Sequence, residues 1–205
     1  WEDAERHVGI WSGQFKVQWT CNPAWVMYDL LTEKRVALGS FVADINPYKW
    51  DFYELSKYCD ELVPDGFGGM ERRFECHTYI QEQSQAYALL AQLSALFRGA
   101  PLSGGSSISV MFDGPRDPEL LFNESNVVDG KFSYTSTARR YRHNAIYVSW
   151  FDGSNGGNRV VEYVPDDKAI SENGFLPLSL DAFGCSSKGQ AIRAARWMLY
   201  SSQNE

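Results

Sequence analysis

The sequence predicts an α+β fold: mixed sheets with about four helices, a strand-helix-strand unit followed by a strand-rich lobe that closes on a C-terminal helix. Three observations carry this expectation. Apolar residues recur at helical spacing in separate stretches of the first hundred residues and again at the end of the chain. Period-two alternation marks strands around them. The second half is enriched in β-branched and aromatic residues.

The first two helices are expected to begin alike. Asn22-Pro23 and Asn46-Pro47 each set a capping side chain before a proline, whose fixed φ suits the first helical position. Trp25, Tyr28, Leu30 and Leu31 carry the first helix to about Thr32. Phe52, Leu55, Cys59 and Leu62 trace the second, which Pro64 stops. Asp65-Gly66-Phe67-Gly68-Gly69 then reads as a tight loop. Phe74, Cys76, Thr78 and Ile80 alternate as a half-buried strand does, and Ser84 can cap a third helix. Ala86, Leu89, Leu90, Leu93, Leu96 and Phe97 form its apolar stripe, which Gly99 and Pro101 end. The turn Ser103-Gly104-Gly105-Ser106 leads to a strand with Ile108, Val110 and Phe112 on one face.

Beyond it, Asn144 to Asp152 contains Ile146, Tyr147, Val148, Trp150 and Phe151, and a Gly- and Asn-rich loop from Gly153 to Asn158 precedes Val160, Val161, Tyr163 and Val164. That pair reads as a hairpin. Ser187 and Gln190 make a capping-box pair before a last helix with Ile192, Ala195, Met198 and Leu199 on one face and Lys188, Arg193 and Arg196 towards solvent. Gly114, Pro115 and Pro118 make 113–130 the best lobe boundary, which divides the chain into a helix-rich α+β lobe over 1–125 and a strand-rich lobe over 126–205.

Composition narrows the function. The 205 residues are 44% hydrophobic and 15% aromatic, enough for a real core, and the seven Trp and eleven Tyr are expected in cores and interfaces. A net charge of -7 disfavours nucleic acid as a specific partner. No apolar run approaches the roughly 18 residues of a spanning helix, so no membrane insertion is expected. Both ends read as cut, which makes the chain a piece of a longer one.

Candidate chemistry is sparse. Cys21, Cys59, Cys76 and Cys185 are scattered, without the close pairs of a structural zinc site, and are expected to be reduced and buried. The Asp65–Gly69 loop lacks the Lys-Ser/Thr of a phosphate loop and leaves a helix rather than a strand. The loop from Asp152 to Asn158 lacks the regular acidic positions of a helix-loop-helix calcium site. His77 lies opposite the apolar face of its strand, so a Cys76/His77 nucleophile-base pair is geometrically poor. Of the other histidines, His7 lies in a polar start. His143 ends the one concentrated positive cluster, Arg139-Arg140-Tyr141-Arg142-His143, whose arginines are expected to pair with acidic groups. No cofactor or catalytic residue follows from the sequence.

Residue strings say more than spacing. Tyr58-Cys59-Asp60-Glu61-Leu62-Val63-Pro64-Asp65-Gly66-Phe67-Gly68-Gly69 resembles a segment of the lambda-type host-specificity proteins, the central tail-tip proteins of long-tailed bacteriophages. So do Asn123 to Val128, Arg142-His143-Asn144-Ala145 and, above all, Asp181-Ala182-Phe183-Gly184-Cys185-Ser186-Ser187-Lys188-Gly189-Gln190-Ala191. Trp25, Asp29, Leu30 and Leu31 fall in step. The motifs keep the family's order from about Gly9 to Tyr200, and Gly189 suggests close packing against a helix start. The segments Asp152 to Asn158 and Lys168 to Leu180 are less similar.

The resemblance implies a structural role in a threefold hub that closes the tail tube of a phage, prophage or tailocin. The partners implied are other copies of the protein and neighbouring tail proteins, with receptor-reaching domains lying elsewhere in the family's chains. It implies an α+β hub domain in the virion tail, and brings no catalytic residue. Two other readings have distinct signatures. A cell-wall or glycan hydrolase would need two facing carboxylates, and a carbohydrate-binding module would need Trp50 and Trp150 exposed on one face.

Overall fold

A computed structural model describes residues 11–35, 37–42, 48–80, 86–104, 107–115, 118–135, 138 and 141–204. The chain forms an α+β fold with five α-helices and three small sheets among these residues. Helix α1 (Pro23–Thr32) starts as its cap residue requires: Asn22 Oδ1 accepts from the Ala24 amide at 3.0 Å. The same side chain donates from Nδ2 to the Ser56 carbonyl at 3.0 Å, which ties α1 to α2 (Lys49–Asp60). The cap expected at Asn46-Pro47 lies outside the described residues, as does Ser84 ahead of α3 (Ala86–Leu96).

Helix α2 ends sooner than Pro64 suggests. Residues Leu62–Pro64 form strand β1, paired antiparallel with β2 (Met70–Arg72), and Leu62 is exposed rather than part of the helical stripe. The Asp65–Gly69 loop is therefore the turn of a hairpin. The segment after β2 alternates for only half the expected length: Phe74 and Cys76 are buried, whereas Thr78 and Ile80 are exposed. It joins no sheet. Its amides instead reach isolated carbonyls, from Phe74 to Cys59 at 3.1 Å and from Cys76 to Cys21 at 2.8 Å.

Helix α3 runs straight into a strand that its glycine and proline concealed. Arg98 closes the helix in the left-handed region (φ 60°), and β3 (Gly99–Gly104) pairs antiparallel with β4 (Ser107–Phe112). Gly99 is required there because a Cβ would lie 2.6 Å from the Met111 carbonyl oxygen. The first core gathers Ala24, Met27 and Leu31 of α1, Phe52, Leu55 and Cys59 of α2, Leu90 and Phe97 of and beyond α3, and Phe74. Ile108, Val110 and Phe112 pack on it from β4, on one face as their alternation implies.

A second core lies between a three-stranded sheet and α5 (Lys188–Asn204). Strand β5 (Ala145–Asp152) is central, antiparallel to β6 (Asn158–Pro165) and parallel to β7 (Pro177–Asp181). Ile146, Val148 and Trp150 point at Ala191, Ala195 and Leu199. Burial of each large side chain contributes about 1.5–3 kcal/mol. Helix α4 (Asp167–Asn173), which was not expected from the sequence, makes the β6–β7 crossover, and β7 is the extended stretch that ends at Asp181. The other face of the sheet stays open, with Tyr147, Phe151, Val161 and Tyr163 exposed.

Candidate functional site

The hairpin turn is organised by its first residue. Asp65 Oδ1 accepts from the amides of Phe67 (2.7 Å) and Gly69 (2.9 Å), and the Asp65 amide donates to the Gly69 carbonyl at 3.1 Å. Gly66 (φ 87°) and Gly68 (φ 98°) take the left-handed conformations that close such a loop. The Phe67 amide, then that of Gly69, hold the Asp65 carboxyl below its ordinary acidity range.

The start of α5 docks onto this hairpin. At Gly189 a Cβ would collide with Glu71 Oε1 and lie 2.7 Å from the Asp65 carbonyl oxygen, so only a hydrogen atom fits. Ser187 Oγ hydrogen-bonds to Glu71 Oε2, and Glu71 also pairs with Arg193 Nη1. Arg193 Nη2 donates to the Arg73 and Arg72 carbonyls at 3.0 and 3.3 Å. Arg193 was expected to face solvent; its side chain retains only 20% exposure, because its place one turn after Gly189 aims it at the hairpin.

Gln190 completes the seam differently from a capping box. Its own amide approaches Ser187 Oγ at 3.4 Å, so the forward half of the box is present but long. The side chain does not turn back to Ser187. It accepts from the Glu75 amide at 3.0 Å through Oε1 and donates to the Glu75 carbonyl at 3.1 Å through Nε2, as a neighbouring strand would. One turn upstream, the His77 amide donates to the Gly184 carbonyl at 2.7 Å. Gly184 itself sits at φ 68° with Leu96 Cδ1 and Cys76 Sγ where a Cβ would go, at 3.1 and 3.2 Å, and Phe183 lies half-buried in the same turn.

The remaining motif residues lie apart from this seam. Asn144 is buried and pins the α4 crossover: Nδ2 donates to the Gly174 carbonyl at 2.6 Å and Oδ1 accepts from the Leu176 amide at 2.8 Å. The His143 carbonyl accepts from Ser202 Oγ at 3.2 Å, close to the end of α5, and Arg142 lines a groove with Asp166 and Glu172. Arg139 and Arg140 lie outside the described residues. Asp181 takes hydrogen bonds from Ser149 Oγ (2.8 Å) and Arg159 (3.1 Å) at the exposed sheet face.

Reactive groups are muted. Burial pushes the thiols of Cys76 and Cys185 up to about 11, and burial followed by the charge of Glu75 does the same for Cys21. Cys59 is raised well above its ordinary value by burial. All four are protonated at neutral pH and are poor nucleophiles. Asp152 spends its carboxylate on the Ser154 amide and hydroxyl at 2.9 and 2.6 Å, within the β5–β6 hairpin. Trp150 is 5% exposed and belongs to the second core, so Trp50 and Trp150 do not form a sugar platform.

Sequence strings far apart in the chain thus meet at one polar seam between two cores. Residues 85–205 match the profile of a family described as putative phage tail protein. The chain belongs to that phage tail protein family. This family member is also 40% identical, over 196 residues, to the tip attachment protein J of Escherichia phage SECphi27, and 30% identical, over 198 residues, to that of Escherichia phage SECphi4. Each comparison covers 96% of the tail-protein chain, which in turn spans 16% and 17% of those relatives' lengths. Glu71, Glu75 and Arg193, which carry much of the seam, were missed in the sequence. The one available signal was the Gly189–Arg193 spacing on a single helix face.

Proposed function

We propose that this chain is a structural module of a phage tail-tip protein, placed in the virion tail, that assembles the tip and supports host-recognition domains located elsewhere in the intact protein. The similarity of 96% of the chain to tip attachment protein J carries this reading. The geometry agrees with it. Two of the family-like strings, Asp65–Gly69 and Asp181–Ala191, meet where the two cores join, and the polar groups of the seam face each other rather than a cleft. The Asp65 and Asp152 carboxyls are held below the ordinary carboxylate range, the opposite of the raised pKa that a glycosidase acid needs.

Surfaces for neighbours are available. Leu120, Leu121 and Phe122 form an exposed apolar run, and the open face of the β5–β7 sheet displays Tyr147, Val161 and Tyr163. In this reading the partners are further copies of the protein in a trimer and adjacent tail proteins, with no specific nucleic acid and no membrane insertion by this chain. In this reading the chain divides into a helix-rich lobe over 1–125 and a strand-rich lobe over 126–205. Light scattering on the intact phage protein tests the assembly: three copies are expected, and monomers alone at high concentration would count against it. Clearing of peptidoglycan in a zymogram would overturn the non-enzymatic part.

A further inference from the structure

We propose that Cys21, Glu75 and His77 form a binding site for one divalent transition-metal ion, with zinc the best chemical match, beside the seam. Their ligand atoms all lie within 4.8 Å of one another. Cys21 Sγ is 3.7 Å from Glu75 Oε1, and Glu75 Oε2 is 3.3 Å from His77 Nε2. The scattered cysteine spacing that disfavours zinc in the sequence is overcome here by tertiary structure, which sets one cysteine beside a carboxylate and an imidazole.

The backbone holds all three positions. The Cys76 amide bonds to the Cys21 carbonyl at 2.8 Å, Gln190 clamps both backbone groups of Glu75, and Gly184 receives the His77 amide. Phe74 and Cys76 are buried, while Glu75 and His77 lie together on the more open side. A preformed trio of sulfur, nitrogen and oxygen donors suits zinc and its neighbours in the first transition row. Calcium and magnesium prefer oxygen alone. Three protein ligands leave a fourth position for water or for a side chain of another subunit.

Arg72 competes for the same atoms. Its Nη1 lies 2.9 Å from Cys21 Sγ and 3.0 Å from Glu75 Oε1, and its Nε lies 3.6 Å from Asp60 Oδ1. On binding, the metal replaces the guanidinium at sulfur and oxygen, Arg72 keeps Asp60, and the Cys21 thiol proton passes to solvent as the sulfur-metal bond forms. No electron is transferred. The bound ion would fasten the segment preceding α1 to the strip that Gln190 grips, and so stiffen the seam.

Cobalt(II) titration of the reduced 205-residue chain tests the site. One equivalent should produce a thiolate-to-cobalt charge-transfer band that zinc displaces. His77→Ala, at an exposed position, should weaken binding at least about tenfold, and Cys21→Ser should abolish the band. No band in the wild-type chain, or a band that survives Cys21→Ser, overturns the proposal. Unchanged affinity in His77→Ala overturns it too, and this variant decides the matter if Cys21→Ser fails to fold.

Discussion

At the scale of single residues, small volumes and single hydrogen bonds decide the seam. Gly189→Ala places a methyl group against Glu71 and the Asp65 carbonyl, and should destabilise the chain by about 1–3 kcal/mol in chemical denaturation. An unchanged midpoint would show that the hairpin can retreat. Asp65 offers a pH test. Its folded pKa is lowered by the Phe67 and Gly69 amides, so its stabilising contribution is present above the ordinary carboxylate range and is lost as pH falls through the lowered folded value, below about 4. Protection of the Phe67 and Gly69 amides, taken relative to the intrinsic exchange rate at each pH, should fall on acidification, and Asp65→Asn should flatten that response. The close packing at Gly189 was legible in the sequence, though not what packs there, whereas Asp65 read only as the start of a loop with glycines.

Elements depend on side chains that act as backbone. Gln190 gives Glu75 the two hydrogen bonds a strand would, and Asn144 does the same for the chain entering β7. Gln190→Ala should cost about 1–3 kcal/mol, because it leaves the Glu75 amide and carbonyl without their partner. Gln190→Glu should be at least as damaging, since a carboxylate oxygen would face the Glu75 carbonyl; a neutral result would mean that water substitutes readily. Asn144→Ala should loosen β7 and α4 selectively, seen as faster amide exchange at Leu176 with little change in α1 and α2. The helices α1, α2, α3 and α5 and the β5–β6 hairpin were legible, because periodicity and capping are local signals. Strand β3 was hidden by its glycine and proline, and α4 by its few residues between two strands. The capping-box reading of Ser187 and Gln190 was half right, since sequence alone cannot show that a glutamine has a better partner 115 residues away.

The whole molecule is two cores joined by a seam that is largely polar, with Arg98 adding a guanidinium between the Phe74 and Trp197 rings at 5.5 and 5.4 Å. Trp197 Nε1 also donates to Asp113 at 3.2 Å. Such a joint couples the cores only while its hydrogen bonds and ion pairs are intact. Calorimetric unfolding of the wild-type chain should show one transition, and the double variant Gln190→Ala/Arg193→Met should split it into two. A single transition in both would locate the coupling elsewhere, in the apolar contacts of Leu96 and Cys76 with Gly184.

The α+β class, four of the helices, the main hairpin and the phage-tail resemblance were legible in the order of the amino acids, since each rests on neighbouring residues or on contiguous strings. The Asp65–Gly69 and Asp181–Ala191 strings stand out in it as contiguous family-like segments. What they touch follows from the packing of the two cores. Glu71 and Arg193 reach across 122 positions, and Gly189 is explained by the hairpin that fills the space of its missing side chain. Those pairings depend on how two separately packed cores meet, and no local periodicity carries that information.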